Sequence, residues 1–90
     1  MKYVLLYESA DDVLEKVRPH AAEHRARWET FRSQGTLLMI GPFTNPKDGA
    51  MGIFTTREAA EEFAAGDPLV INGAVKSWRI LIWVEAIVPE

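Results

Sequence analysis

Four stretches of the chain have the short, apolar, β-branched and aromatic pattern of strands, and helical periodicity fills the two longer gaps between them. The predicted strands are KYVLLYE, TLLMIGPF, AMGIFT and AVKSWRILIWVEAIV, the last of which runs to Val88. The polar segment TNPKDG has the turn residues of a hairpin between the second and third strands. The order is β-α-β-β-α-β, which predicts a ferredoxin-like α+β fold: an antiparallel four-stranded sheet with two helices on one face.

The first helical region is interrupted by Pro19, which cannot lie inside a helix without losing a backbone hydrogen bond. We therefore predict a short turn or helical piece near residues 11–17 and then a main helix with Pro19 in its first turn. Gly35 is expected just past the end of this helix, where a left-handed residue is common.

The second helix is predicted in the segment TTREAAEEFAAG. Thr55 and Glu58 have the spacing of a capping box at its start, and Gly66 is expected to end it. The segment DPLVING that follows is predicted to be a loop, because it contains both a proline and a glycine.

Both faces of the first and the last predicted strand are apolar. The last strand has apolar residues at the even positions from Trp78 to Val88 and also at Leu81, Trp83 and Ile87. Two helices cover only one face of such a sheet, so the second face of a monomer would be exposed to water. We predict a homodimer in which two open sheet faces pack together, which is the arrangement of a dimeric α/β barrel.

Composition narrows the classes of function. Ninety residues with 48% apolar content predict a single domain, residues 1–90, that has little core as a monomer. The net charge of −3 without a basic block argues against nucleic-acid binding, and the lack of cysteine removes disulfides and thiolate chemistry. The first apolar run is too short for a signal peptide, and no stretch approaches the ~20 residues of a membrane helix. We expect a cytoplasmic protein without a membrane partner.

Both histidines lie in the segment RPHAAEHRARW, four residues apart. At about 100° per residue, one face of the helix carries both of them and two aromatic residues. This stripe consists of His20, His24, Trp28 and Phe31. The charged residues expected on the other side or the flanks are Arg18, Arg25, Glu29 and Arg32. A histidine buried in such a stripe needs partners for its ring nitrogens, because an unpaired buried polar group costs about 1–3 kcal/mol.

Three interpretations of the histidines stay open on the residues alone. In the first, both histidines are core residues. In the second, they share a metal ion, although no third strong ligand is evident at a suitable spacing. In the third interpretation, a carboxylate orients one ring and raises its basicity for proton transfer. Asp67 is the candidate because it lies between Gly66 and Pro68, which favours extended geometry. The same GDP segment is also typical of a turn in which Asp67 bonds its own backbone.

Several of these elements together resemble the YCII (YciI-like) family over nearly the whole chain. They are strand KYVLLYE, His24 eleven residues before Gly35, the Gly41-Pro42 pair, the run EAAEEFAAGDP, and the last strand VKSWRILIW. The resemblance implies a ferredoxin-like fold, a dimeric α/β barrel and an active site built around a His-Asp pair. By position that pair is His24 and Asp67, and His20 has no counterpart. Leu69 stands where members of the family usually have Phe or Tyr after Asp-Pro.

Some members of the YCII-like family are similar to dehydrochlorinases of chlorinated hydroxyhydroquinones. The wider superfamily of dimeric α/β barrels includes lactone isomerases and cofactor-free oxygenases. We therefore hypothesise a cofactor-independent lyase or isomerase, with no metal ion, that acts on a small aromatic or enol-type molecule. His24 would move a proton while Asp67 orients its ring. The residues predicted to contact the substrate are Tyr7, His20, Gly41, Pro42 and Leu69. Two rival hypotheses are a non-catalytic dimer that binds or senses a small ligand, and a purely structural dimer.

Overall fold

The computed structural model, which describes residues 1–90, contains four strands and four helices. The strands are β1 (Lys2–Ser9), β2 (Leu37–Pro42), β3 (Ala50–Phe54) and β4 (Val75–Trp83). The helices are α1 (Val13–Val17), α2 (Ala21–Ser33), α3 (Arg57–Gly66) and α4 (Pro68–Ile71). All strand pairs are antiparallel, in the order β2-β3-β1-β4, which confirms the predicted ferredoxin-like α+β fold.

The core lies between the sheet and the helices. Leu5 and Tyr7 of β1 are buried on the helix side, where Phe54 of β3 joins them. Phe63 of α3 packs between Phe31 and Phe54, with ring-centroid distances of 5.3 and 5.4 Å. Edge-to-face and tilted aromatic pairs at such distances add to the free energy of area burial. This aromatic cluster therefore holds α2 and α3 against the two central strands.

The sequence predicted Pro19 in the first turn of α2, but α2 begins two residues later, at Ala21. The residues Arg18–His20 form one 3₁₀ turn between α1 and α2, so the proline lies outside the interior of either helix. Gly35 follows the last helical turn with a φ of 82°, in the left-handed region that glycine tolerates. With 13 residues α2 is the longest helix, and no helix of the chain is both long and apolar enough to cross a membrane.

The predicted capping box of α3 is wrong. Thr56 caps the helix, because its side-chain oxygen accepts the N–H of Ala59 at 3.1 Å. The third helical position is therefore Ala59 and not Glu58. Thr55 is unable to serve as the cap because it still belongs to the sheet region, where its N–H donates to Thr36 O at 2.9 Å.

The segment DPLVING is also not a loop, since its first half forms α4. Asp67 caps this helix by accepting the N–H of Leu69 at 3.1 Å, and Pro68 occupies the first helical position. The side chain of Asn72 donates to Pro68 O at 2.8 Å and completes the single turn. One turn is too short to show helical periodicity in a sequence.

The last strand ends at Trp83 and does not reach Val88. Trp83 pairs with Lys2, the first residue of β1, so the chain beyond it has no strand to pair with. Instead, the carboxylate of Glu85 lies 2.9 Å from Lys2 Nζ and 2.8 Å from the N-terminal amine. These contacts hold the C-terminal segment beside the start of β1.

One face of the sheet is left uncovered by the helices, as predicted. On that face Leu81 of β4 is in register with Val4 of β1, and Trp83 follows two residues later. Leu81 and Trp83 keep 43% and 49% of their surface exposed. The open face is therefore apolar at β4, and the homodimer that we predict through it remains a prediction.

Candidate active site

Asp67 lies at the corner between α3 and α4 and is completely buried. Its backbone is extended, with φ −69° and ψ 124°, as expected for a residue before proline. Three donors reach its carboxylate. The hydroxyl of Tyr7 donates to Oδ2 at 2.6 Å, and the N–H of Leu69 and Nδ1 of His24 contact Oδ1 at 3.1 and 2.8 Å. The corner thus combines both sequence interpretations of Asp67, the local turn bond and the partnership with a histidine.

These contacts define the roles of the two nitrogens of His24. Asp67 accepts hydrogen bonds from a hydroxyl and from a backbone N–H, so Nδ1 of His24 is the donor in the third contact. With the proton on Nδ1, the Nε2 of a neutral ring carries a lone pair. Nε2 has no hydrogen-bond partner in the protein and is not enclosed. The side chain of His24 retains 20% exposure, so this nitrogen is available to a ligand.

Tyr7 is the second side chain that holds Asp67. Burial and the neighbouring carboxylate of Asp67 raise the pKa of the Tyr7 phenol far above its usual value, and the cation of Arg27 opposes this shift only in part. The phenol therefore keeps its proton and donates to Asp67 throughout the ordinary pH range. The sequence placed Tyr7 in the pocket, but it gave no sign of this hydrogen bond between β1 and the α3–α4 corner.

An apolar cavity of about 900 Å³ lies in front of His24, between α1 and α2 on one side and the sheet on the other. The four predicted contact residues found in its lining are Tyr7, Gly41, Pro42 and Leu69. Asp67 stands behind His24 and does not line the cavity. The imidazole of His24 therefore has a free nitrogen next to an apolar cavity, and its carboxylate partner Asp67 lies outside that cavity.

His20 is separated from this group. It ends the 3₁₀ turn before α2, does not line the cavity, and has a buried Nδ1 without a hydrogen-bond partner. His20 and His24 have no third candidate metal ligand beside them. No three His, Cys, Asp or Glu side chains come together in a group suited to a metal ion.

Two arginines that the helical wheel placed on the other side or the flanks of the stripe line the cavity. They are Arg18 and Arg32. Arg18 belongs to the 3₁₀ turn and not to α2, so angles counted along a continuous α-helix do not apply to it. Arg32 is 66% exposed and pairs with Glu29 at 3.1 Å, which is consistent with a position on the flank of the stripe.

Arg27 of α2 is a residue of the site that sequence reasoning missed. Its guanidinium donates to the carbonyls of Phe63 at 3.1 Å and Glu62 at 2.7 Å, in the last turn of α3. It also lies over the ring of Phe31, 5.1 Å from the centroid. A Cβ on Gly66 would overlap this guanidinium, so the glycine leaves the space that Arg27 occupies. The pair anchors the end of α3 immediately before Asp67.

Comparisons with known proteins agree with this architecture. A model of the YCII-related domain matches residues 1–84. The solved structure of 5-chloro-2-hydroxyhydroquinone dehydrochlorinase from Burkholderia phenoliruptrix, in complex with 2,5-dihydroxybenzoquinone, superposes with a TM-score of 0.77. The alignment covers 96% of each chain at 19% sequence identity, a level at which the likeness describes the fold. No curated protein matches the chain.

Proposed function

The chain belongs to the YCII-related family, and from that premise we propose that it is an enzyme that catalyses proton transfer on a small ring molecule without a cofactor. The reaction class is elimination, dehydrochlorination or isomerisation of an aromatic or enol-type substrate. The observation that supports this most is the hydrogen-bonded series Tyr7–Asp67–His24, which ends in a free Nε2 against an apolar cavity.

His24 is the general base in this proposal. Its Nε2 takes a proton from an acidic C–H or O–H of the substrate, and the resulting imidazolium is stabilised by the Asp67 carboxylate at Nδ1. In an elimination, the electron pair of the broken bond forms a new double bond while chloride or another leaving group departs with its own pair. The overall change is loss of HX without oxidation or reduction. In an isomerisation, the imidazolium returns the proton to a different carbon.

Asp67 acts on His24, and the hydroxyl of Tyr7 acts on Asp67, so neither group exchanges a proton with the substrate in this proposal. Asp67 keeps the ring in one orientation and one tautomer, as second partners of catalytic histidines do. Tyr7 and the N–H of Leu69 donate two further hydrogen bonds to the buried carboxylate, which would otherwise be costly to hold in the core. The three residues give the base a fixed position before any substrate enters.

The dehydrochlorinase with the same fold supports the choice of substrate class. Its complex contains 2,5-dihydroxybenzoquinone, a small hydroxylated ring. The cavity of about 900 Å³ in the present protein has room for a ring of that size, and its walls are mostly apolar. A flat ring with few polar groups is therefore the substrate that we propose here.

The test compares His24→Gln with His20→Gln. Glutamine keeps an amide N–H for Asp67 but has no titratable base, so His24→Gln should lose about 10²–10⁴-fold in rate while it still folds. His20→Gln is the matched control and should stay within a few fold of the parent protein. Rates are measured as chloride release from 5-chloro-2-hydroxyhydroquinone and as solvent deuterium exchange into small cyclic enols, with circular dichroism to check folding.

Two results would contradict the proposal. One is that His24→Gln retains the rate of the parent protein. The other is that the parent protein binds members of the panel without exchange or turnover, which would favour the rival hypothesis of a non-catalytic ligand-binding dimer.

A further inference from the structure

The charged residues that line the cavity are all cationic. Arg18 and Arg32 lie in its lining, whereas no Asp or Glu does. The protein as a whole has more acidic than basic residues, 13 against 10, so this distribution is opposite to the composition. A positive group beside low-dielectric walls attracts anions more strongly than the same group does on an open surface.

Arg18 is the lining cation that has no partner. Arg32 is paired with Glu29 at 3.1 Å, so part of its charge is already compensated. The guanidinium of Arg18 makes no ion pair, hydrogen bond or ring contact within the chain. By contrast, Arg27 is committed to the carbonyls of α3, and Arg25 lies over the ring of Trp28 at 5.6 Å. Arg18 is thus free to contact a ligand at the exposed edge of the cavity.

We propose that Arg18 selects a small ring ligand that carries an anionic oxygen group, either a carboxylate or a phenolate. The apolar walls take the ring, and the guanidinium pairs with the anionic oxygen at the exposed edge. Guanidinium groups suit this task because they stay charged and offer several N–H donors in one plane. This inference rests on the proposed function of the same cavity and adds the charge of the molecule that it accepts.

The placement also has a chemical consequence for the base. When His24 removes a proton from such a ring, the negative charge on the ring oxygens increases. The Arg18 cation in the cavity lining stabilises that charge, whereas an acidic residue there would oppose it. The absence of carboxylates from the lining therefore favours both anion binding and proton removal.

Binding experiments test the inference with pairs of probes that differ in charge. One pair is benzoate and benzamide, and the other is 4-nitrophenolate, held above its own pKa, and 4-nitroanisole. Dissociation constants are measured by calorimetry, and binding at the cavity is identified from NMR shifts of the Leu69 amide and the His24 ring. We expect at least one anion to bind about tenfold more tightly than its neutral partner. The two pairs distinguish a carboxylate ligand from a phenolate ligand.

Single substitutions test whether the preference for anionic probes depends on Arg18. Arg18→Gln should remove the preference for the anion and leave the neutral probe unchanged. Arg25→Gln is the matched control on the same helical region, outside the cavity, and should keep the full preference. Arg32→Gln should have a smaller effect than Arg18→Gln.

The inference is overturned if neutral probes bind as tightly as anions, if none of the probes binds, or if Arg18→Gln keeps the preference. It is also overturned if Arg25→Gln loses as much as Arg18→Gln, because the effect would then come from overall charge. These titrations need no turnover, so anion selection is measured whether or not His24 acts as a base. Failure of the base chemistry and failure of anion selection are therefore separate results.

Discussion

Tyr7 shows how one hydroxyl supports a buried charge. Its O–H donates to Oδ2 of Asp67 at 2.6 Å in a region with almost no exposure to solvent. Hydrogen bonds to charged groups contribute more than neutral ones, because the buried carboxylate has no water to replace a lost donor. The hydroxyl therefore stabilises the fold as well as the position of Asp67.

We predict that Tyr7→Phe lowers the free energy of unfolding by about 2 kcal/mol at neutral pH. Denaturant titration followed by circular dichroism measures this loss. Tyr3→Phe is the matched control, because the hydroxyl of Tyr3 makes no hydrogen bond in the protein. Equal stability of the parent protein and Tyr7→Phe would show that Asp67 does not depend on this donor.

The same residue predicts a dependence of stability on alkaline pH. Burial and Asp67 raise the pKa of Tyr7 in the folded protein, whereas a tyrosine in the unfolded chain loses its proton near its ordinary value of about 10. Above that pH the folded state binds the extra proton, so the free energy of unfolding falls by up to about 1.4 kcal/mol per pH unit. Tyr7→Phe should remove this component from the pH profile, measured as unfolding midpoints between neutral and strongly alkaline pH. An unchanged alkaline slope in the variant would contradict the assignment.

At the residue scale, part of the candidate site could be predicted from the sequence. The helical stripe and the GDP segment made His24 and Asp67 candidates, and the resemblance to the YCII family paired them; the structure brings them to 2.8 Å. The bond from Tyr7 could not be predicted, because strand periodicity gives the face of a side chain but not the loop atom that it meets. The position of Arg18 at the cavity could not be predicted from a helical wheel, because Pro19 changes the helix type at that point.

At the scale of elements, α2 and α3 are joined by Arg27. The side chain leaves α2 about one turn after His24 and binds the carbonyls of Glu62 and Phe63, near the end of α3. Cations near the C-terminus of a helix satisfy free carbonyls and interact favourably with the helix dipole. The helix that carries His24 therefore also anchors the element that leads to Asp67.

Gly66→Ala tests this anchor. We expect the substitution to destabilise the protein, whereas helix propensity alone would predict that it stabilises the protein. Alanine is normally better than glycine in a helix by about 1 kcal/mol. Here its Cβ would displace the Arg27 guanidinium, so we expect the free energy of unfolding to fall by about 1–3 kcal/mol. Thermal and denaturant unfolding measure the change. Gly41→Ala is the control, since a Cβ at that position meets nothing within 4 Å.

A double variant separates the anchor from a local clash. If Gly66→Ala acts through Arg27, then adding Gly66→Ala to Arg27→Met should cost much less than it costs alone. Full additivity of the two losses would mean that Gly66 and Arg27 act independently.

The order of elements was predictable and some of their ends were not. Strand and helix periodicity identified β1 to β3, α2 and α3, because each is long enough to show its repeat. The single turn of α4 is too short for that, although Asp67-Pro68 is a cap followed by a proline at the first helical position. The end of β4 depends on where β1 begins, which is a property of pairing and not of the β4 residues themselves.

At the scale of the whole molecule, the uncovered sheet face predicts self-association. We expect Leu81→Asp to shift the protein toward a monomer in sedimentation equilibrium, because a charge would replace an exposed apolar side chain at the proposed interface. Ile71→Asp is the matched control, since Ile71 is also exposed but lies on α4, on the helix side. A parent protein that sediments as a monomer would contradict the predicted dimer.

The site is also divided between two sets of elements. His24, Asp67 and their anchors come from β1, α2 and the α3–α4 corner, whereas much of the cavity wall comes from α1 and β2. Mutations in β2 can therefore alter which molecule fits without replacing any member of the Tyr7–Asp67–His24 series. Such a separation lets ligand preference be retuned while the proposed chemistry is kept, and it makes β2 the first place to vary in directed evolution.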